Sequence, residues 1–152
     1  MWLGLVALSP LHAQRPQQPQ QPQEVSKILG ISVEGNALAD PAAIIANSGL
    51  RVGDDITIPG DQISQAIRKL WSLRIFDDIQ VAIDRKMGTG VYLVIRVKEF
   101  PRFERSEIRG ADEISNDDIL KKINMVRGQV FAPQEIYRIQ REVLDLYEKE
   151  GY

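Results

Sequence analysis

Residues 70–79, LWSLRIFDDI, are where this sequence changes period. Before them, Ile63, Ile67, Leu70 and Trp71 fall at i, i+4, i+7 and i+8, one face of a helix. After them, Ile79, Val81 and Ile83 alternate with Gln80, Ala82 and Asp84, the period of a strand with one buried face. A helix therefore runs into a strand through a short corner, and Phe76 sits where an aromatic ring can plug the end of the core. Lys86 to Gly90, a turn with two glycines, leads into Val91–Glu99, which completes a hairpin.

Upstream, Leu29, Ile31 and Val33 alternate with lighter residues and read as a first strand, turned by Gly35 and Asn36. Asp40 and Pro41 form an N-cap and first-turn pair for a helix that buries Ile44 and Ile45 and stops at Gly49. A second helix starts at Asp61, after Pro59 and Gly60. The order is strand, helix, helix, strand, strand. Leu29, Ile31, Val33, Ile44, Ile45, Ile63, Ile67, Leu70, Trp71, Ile79, Val81, Leu93 and Ile95 are expected to form one core. Trp71→Ala should then cost about 3 to 5 kcal/mol.

The same order begins again. At a spacing of 75 residues Ile28, Ile31, Val33 and Gly35 match Phe103, Ser106, Ile108 and Gly110, and the cap Asp40 matches Ser115. Ile44, Ile45 and Gly53 match Ile119, Leu120 and Gly128. One inserted residue makes the spacing 76, and Ile63, Ile67, Leu70 and Trp71 then match Ile139, Val143, Leu146 and Tyr147, with Tyr152 in the place of Phe76. The fold class is α+β: tandem modules, each a three-stranded mixed sheet with two helices on one face, the second module truncated before its last two strands. Residues 26–99 form the first module and residues 100–152 the incomplete second. Phe100 and Pro101 are the hinge between them, and proline limits its angles.

Met1–Ala13 carries a short apolar run, broken by Pro10, and reads as a secretory signal peptide; the rival reading is a buried N-terminal segment. Residues 14–25, rich in Pro and Gln, read as a solvated tether. The chain of 152 residues carries 19 Lys or Arg against 21 Asp or Glu, which gives no basic surface for nucleic acid. It has no cysteine and one histidine, in the leader. Asp54–Asp55, Asp77–Asp78 and Asp117–Asp118 are carboxylate pairs at helix starts and corners, read as caps and solvated ends rather than as acid–base machinery. No catalytic residue, metal site or cofactor is expected, and no enzyme.

Four motifs carry a family resemblance: IxxIxVEGN over Ile28–Asn36, the corner at Leu70–Ile79, Val97-x-Glu99-x-Pro101, and Glu150-Gly151-Tyr152. Together they resemble the POTRA repeat of the BamA family of outer-membrane protein assembly factors, over residues 26–152. The resemblance implies an N-terminal fragment without the C-terminal barrel through which such proteins sit in the outer membrane, on its periplasmic face. It implies unfolded outer-membrane proteins as clients, with assembly-machine lipoproteins and periplasmic chaperones as partners. Other POTRA-bearing proteins, the TamA-like and two-partner secretion transporters and the cell-division protein FtsQ, are the near alternatives. An RNA-binding KH-like domain is the distant one, and its GxxG loop is absent from GLRVGDD, Gly49–Asp55.

Within this reading, Val91–Val97 is apolar on both faces and belongs in the middle of the sheet, between the first strand and Ile79–Arg85. Ile79, Gln80, Val81, Ala82, Ile83, Asp84 and Arg85 are thereby left at an edge able to accept a client segment as an added strand. Proline at Gln80 or Ala82, whichever N–H faces outward, would probe it.

Overall fold

Helix α1 (Pro41–Ser48) begins where the sequence places it, because the Asp40 side chain accepts hydrogen bonds from the N–H groups of Ala42 and Ala43 and Pro41 occupies the first turn. It ends at Gly49, whose φ of 77° lets the chain leave in the left-handed region. These elements are seen in a computed structural model that describes residues 24–152. The signal peptide assigned to residues 1–13 and the tether up to residue 23 lie outside the described residues. Glu24 and Val25, read as the end of the tether, open the first strand, β1 (Glu24–Glu34).

After α1 come β2 (Asp55–Ile58), α2 (Asp61–Trp71), β3 (Phe76–Met87), β4 (Gly90–Glu99), α3 (Asn116–Ile123) and α4 (Pro133–Glu150). The sheet order is β2-β1-β4-β3. Strand β4 pairs in parallel with β1 and antiparallel with β3, so the most apolar strand is central and β3 is an edge. The expected three strands are four. The extra one, β2, pairs antiparallel with β1 through Glu24–Lys27. Its four residues, between Gly53 and Pro59, are too few to show a period.

Two stripes of buried side chains fill the space between sheet and helices. Ile28, Leu50, Ile56, Ala66, Val91 and Leu93 form one, and Ile44, Leu70, Phe76, Ile79, Ile95 and Val97 the other, bridged by Ile31 and Val81. Phe76 is fully buried at the corner, as expected of a plug. Glycine is required at position 35, where φ is 80° and an added Cβ would strike the Val97 carbonyl.

Two expected core residues lie elsewhere. Leu29 is 36% exposed while Ile28 is buried, because a register shift between Ile28 and Gly30 leaves Leu29 without a partner on β4. The extra residue turns the alternation over, so Ile28, Ile31 and Val33 face the helices and Leu29 lies on the far face of the sheet, above Gly90. Trp71 is 42% exposed. It ends α2 one residue past the buried Leu70, about 100° around the helix, and its ring leaves the core stripe for a groove between the modules.

The repeat survives in hydrogen bonds. In the first module the Ile28 N–H donates to the Asp54 carbonyl and the Gly53 N–H to the Ile28 carbonyl. Seventy-five residues on, the Phe103 N–H donates to Gln129 and the Gly128 N–H to Phe103. The bridge Arg102–Val130 stands where Lys27 pairs with Asp55. Ser115 caps α3 as Asp40 caps α1. The strand expected around Phe103–Gly110 does not form beyond that bridge. Strand β1 is held from Lys27 to Glu34 by β4, and no described residue of the second module stands in the place of β4, so residues 104–110 have no ladder to join. Tyr152 does not repeat the burial of Phe76. It is 62% exposed, its ring 6.3 Å from that of Tyr147.

Candidate functional site

A sheet can take an added strand only where an edge offers unpaired backbone groups, and this sheet has two edges. The β2 edge is closed by one side chain. Gln62, in the first turn of α2, accepts from the Thr57 N–H at 2.9 Å and donates to the Asp55 carbonyl at 2.9 Å. Its amide thus occupies two of the backbone groups that a neighbouring strand would use, the Thr57 N–H and the Asp55 carbonyl.

The β3 edge is different. Residues 79–83 run in unbroken register against Val97 to Leu93. In an antiparallel pair alternate residues turn their backbone groups to the partner. The Ile79 N–H donates to its neighbour Asp78, at 2.9 Å from Oδ1, which places Ile79, Val81 and Ile83 in the outward phase and Gln80 and Ala82 in the inward phase. The outward backbone groups therefore belong to the residues whose side chains face the core. Proline at Gln80 or Ala82, expected to remove an outward donor, would break the ladder to β4 instead.

The seven edge residues are thus contiguous in space but unequal. Ile79 is buried, Val81, Ala82 and Ile83 are half-buried, and Gln80, Asp84 and Arg85 are exposed. A second register shift, between Ile83 and Arg85, leaves Asp84 unpaired. It also puts the Arg85 guanidinium 4.2 Å from the centre of the Tyr92 ring on the far face of the sheet.

Phe100 and Pro101, expected from the sequence to form a hinge, are each tied to one module. The Phe100 N–H donates to the Ile75 carbonyl at 2.9 Å, and the Pro101 carbonyl accepts from the Phe131 N–H at 2.8 Å. Between these anchors proline fixes its own φ and restrains Phe100. Beside Pro101, Trp71, Arg74 and Phe100, with the buried Phe76 beneath them, face Gln129, Val130 and Glu135 across a groove of about 660 Å³.

Glu99, just before the hinge, has a task that sequence reasoning assigned only as a motif letter. Its Oε1 accepts from the N–H groups of Ala37, Leu38 and Ala39 at 2.7 to 2.9 Å, pinning the β1–α1 loop to the end of β4. Burial works against this carboxylate. The N–H groups of Ala39, Ala37 and Leu38 and the charge of Arg102 outweigh it and hold Glu99 below the usual carboxylate range. Gln62 and Asp78 were also missed, because nothing in a one-dimensional pattern shows a side chain reaching a strand edge.

One member of each carboxylate pair is engaged in an ion pair or a cap. Asp55 pairs with Lys27, Asp77 with Lys98, and Asp118 with Ser115 and Lys121 at the start of α3. Among the described residues no helix is long and apolar enough to cross a membrane.

The sequence profile of the POTRA family, described as a surface antigen variable number repeat, matches residues 101–152. The chain is 31% identical over 125 residues to the outer membrane protein assembly factor BamA of Nitratidesulfovibrio vulgaris, across 82% of this chain and 15% of that protein. It spans a small part of the length of that relative. Its fold is similar to the N-terminal domain of Omp85 from the thermophilic cyanobacterium Thermosynechococcus elongatus. The TM-score is 0.60 at 17% identity, over 84% of this chain and 53% of the other. A structure of POTRA1-3 from the periplasmic domain of Anabaena Omp85 overlaps 86% of this chain and 52% of its own, with TM-score 0.48 and 17% identity.

Proposed function

Because this chain carries POTRA repeats of the BamA family of outer-membrane protein assembly factors, we propose that it is a periplasmic binding module that receives unfolded outer-membrane proteins as strands added to β3. It acts by binding rather than catalysis, docking assembly lipoproteins and periplasmic chaperones and belonging to a protein held in the outer membrane by a barrel. The observation that carries the reading is the inequality of the two edges. Gln62 occupies the Thr57 N–H and the Asp55 carbonyl of β2, whereas Val81 and Ile83 turn their backbone groups outward from β3.

An added strand reads backbone more than side chains, which suits a receptor for many sequences. Each hydrogen bond contributes about 1 kcal/mol net, so contact is weak and clients are released. A photo-crosslinking residue at Gln80 on β3 is expected to trap an unfolded outer-membrane β-barrel protein diluted from urea, and the same residue at Thr57 on β2 to trap little. Equal trapping at both positions, or none at Gln80, would overturn the reading.

A further inference from the structure

The free length of β3 is much shorter than the strand. At its beginning a register shift separates Phe76 from Asp78, and near its end another separates Ile83 from Arg85. Between them, the Asp78 carboxylate folds back on its own strand, with Oδ1 accepting from the Ile79 N–H at 2.9 Å and Oδ2 from the Gln80 side-chain amide at 3.0 Å. Ile79 therefore presents only its carbonyl to a newcomer. Val81 and Ile83 present both groups.

We infer that Asp78 is a register gate: it restricts an incoming extended segment to Val81–Ile83 and excludes the pairing, shifted by two residues, that would engage Ile79. The inference rests on the proposal that β3 is the receiving edge, and it adds which part of β3 receives. The partner it fits is a short extended segment, whose backbone pairs with two outward residues before bending away at both ends. A long flat strand does not fit, since the chain at Asp84 departs from the ladder and the Asp78 side chain stands beside Ile79. A gate of this kind also limits edge-to-edge pairing between copies, which a longer open edge would invite. Asp78 is exposed and supplies no core packing, so it can be altered without emptying the core.

The test is amide exchange of the full chain, followed residue by residue while a lysine-flanked peptide of alternating Val and Thr is added. Wild type should gain protection at Val81 and Ile83, with Ile79 unchanged. Asp78→Ala should extend protection to Ile79 and tighten peptide binding about fivefold, the worth of one more hydrogen bond. Asp78→Asn keeps an acceptor oxygen and should behave as wild type. Protection of Ile79 together with Val81 in the wild-type chain would overturn the gate and leave β3 as the receiving edge. Protection nowhere on β3, in any variant, would overturn both.

Discussion

Leu70 and Trp71 are neighbours in sequence and unlike in energy. Leu70 is fully buried against Phe76, Ile79 and Ile95, so Leu70→Ala removes transfer free energy and leaves a cavity, at about 2 to 5 kcal/mol. Trp71 keeps 42% of its surface in the groove, and its truncation leaves no closed void. Trp71→Ala should cost less than about 1.5 kcal/mol, against the 3 to 5 expected of a core tryptophan. Urea denaturation of the two variants checks the order, and a larger loss at Trp71 than at Leu70 would reverse the assignment. Helical spacing placed both on one stripe. It could not separate them, because the stripe is wider than the core it covers at the last turn of α2.

At the scale of elements, the fold depends on ties between segments distant in sequence. Glu99 joins the end of β4 to the loop that starts α1, 60 to 62 residues earlier, through three N–H groups. Removing it leaves those donors without their acceptor, and Glu99→Ala should cost about 1 to 3 kcal/mol. The pH dependence follows from its lowered pKa. A carboxyl held low in the fold contributes stability that is complete above its unfolded pKa, about 4.3, and is lost as pH falls through the folded value. Denaturation between pH 7 and pH 3 should show wild type losing this contribution on the acid side, with Glu99→Gln flatter over the same window. Parallel curves would show that Glu99 adds nothing pH-dependent. The β2–Gln62 pair is a tie of the same kind, in which a helix side chain does the work of a neighbouring strand.

Across the whole molecule the two modules share a plan but not a core. Twelve buried apolar residues in two clusters hold the first, and Ile114, Ile119 and Ile123 are the buried centre of the second among the described residues. Ile136, Tyr137, Leu144 and Tyr152 of the second stay exposed. Local opening is cheap where few apolar contacts are lost, so amides of α3 and α4 should exchange faster than those of β1 and β4. Equal protection in the two halves would show that the second module is as cooperative as the first. The sequence by itself determined the helix limits at Asp40, Gly49, Asp61 and Ser115, the hairpin, the central place of β4 and the 75-residue repeat, because caps, turns and periodicity are local properties of the chain. Only the tertiary structure decided the rest. The bulge at Leu29, the strand β2, the absent strand after Phe103 and the side chains that close one edge and shorten the other all depend on which partner stands across the sheet, and a strand has no conformation of its own to betray that.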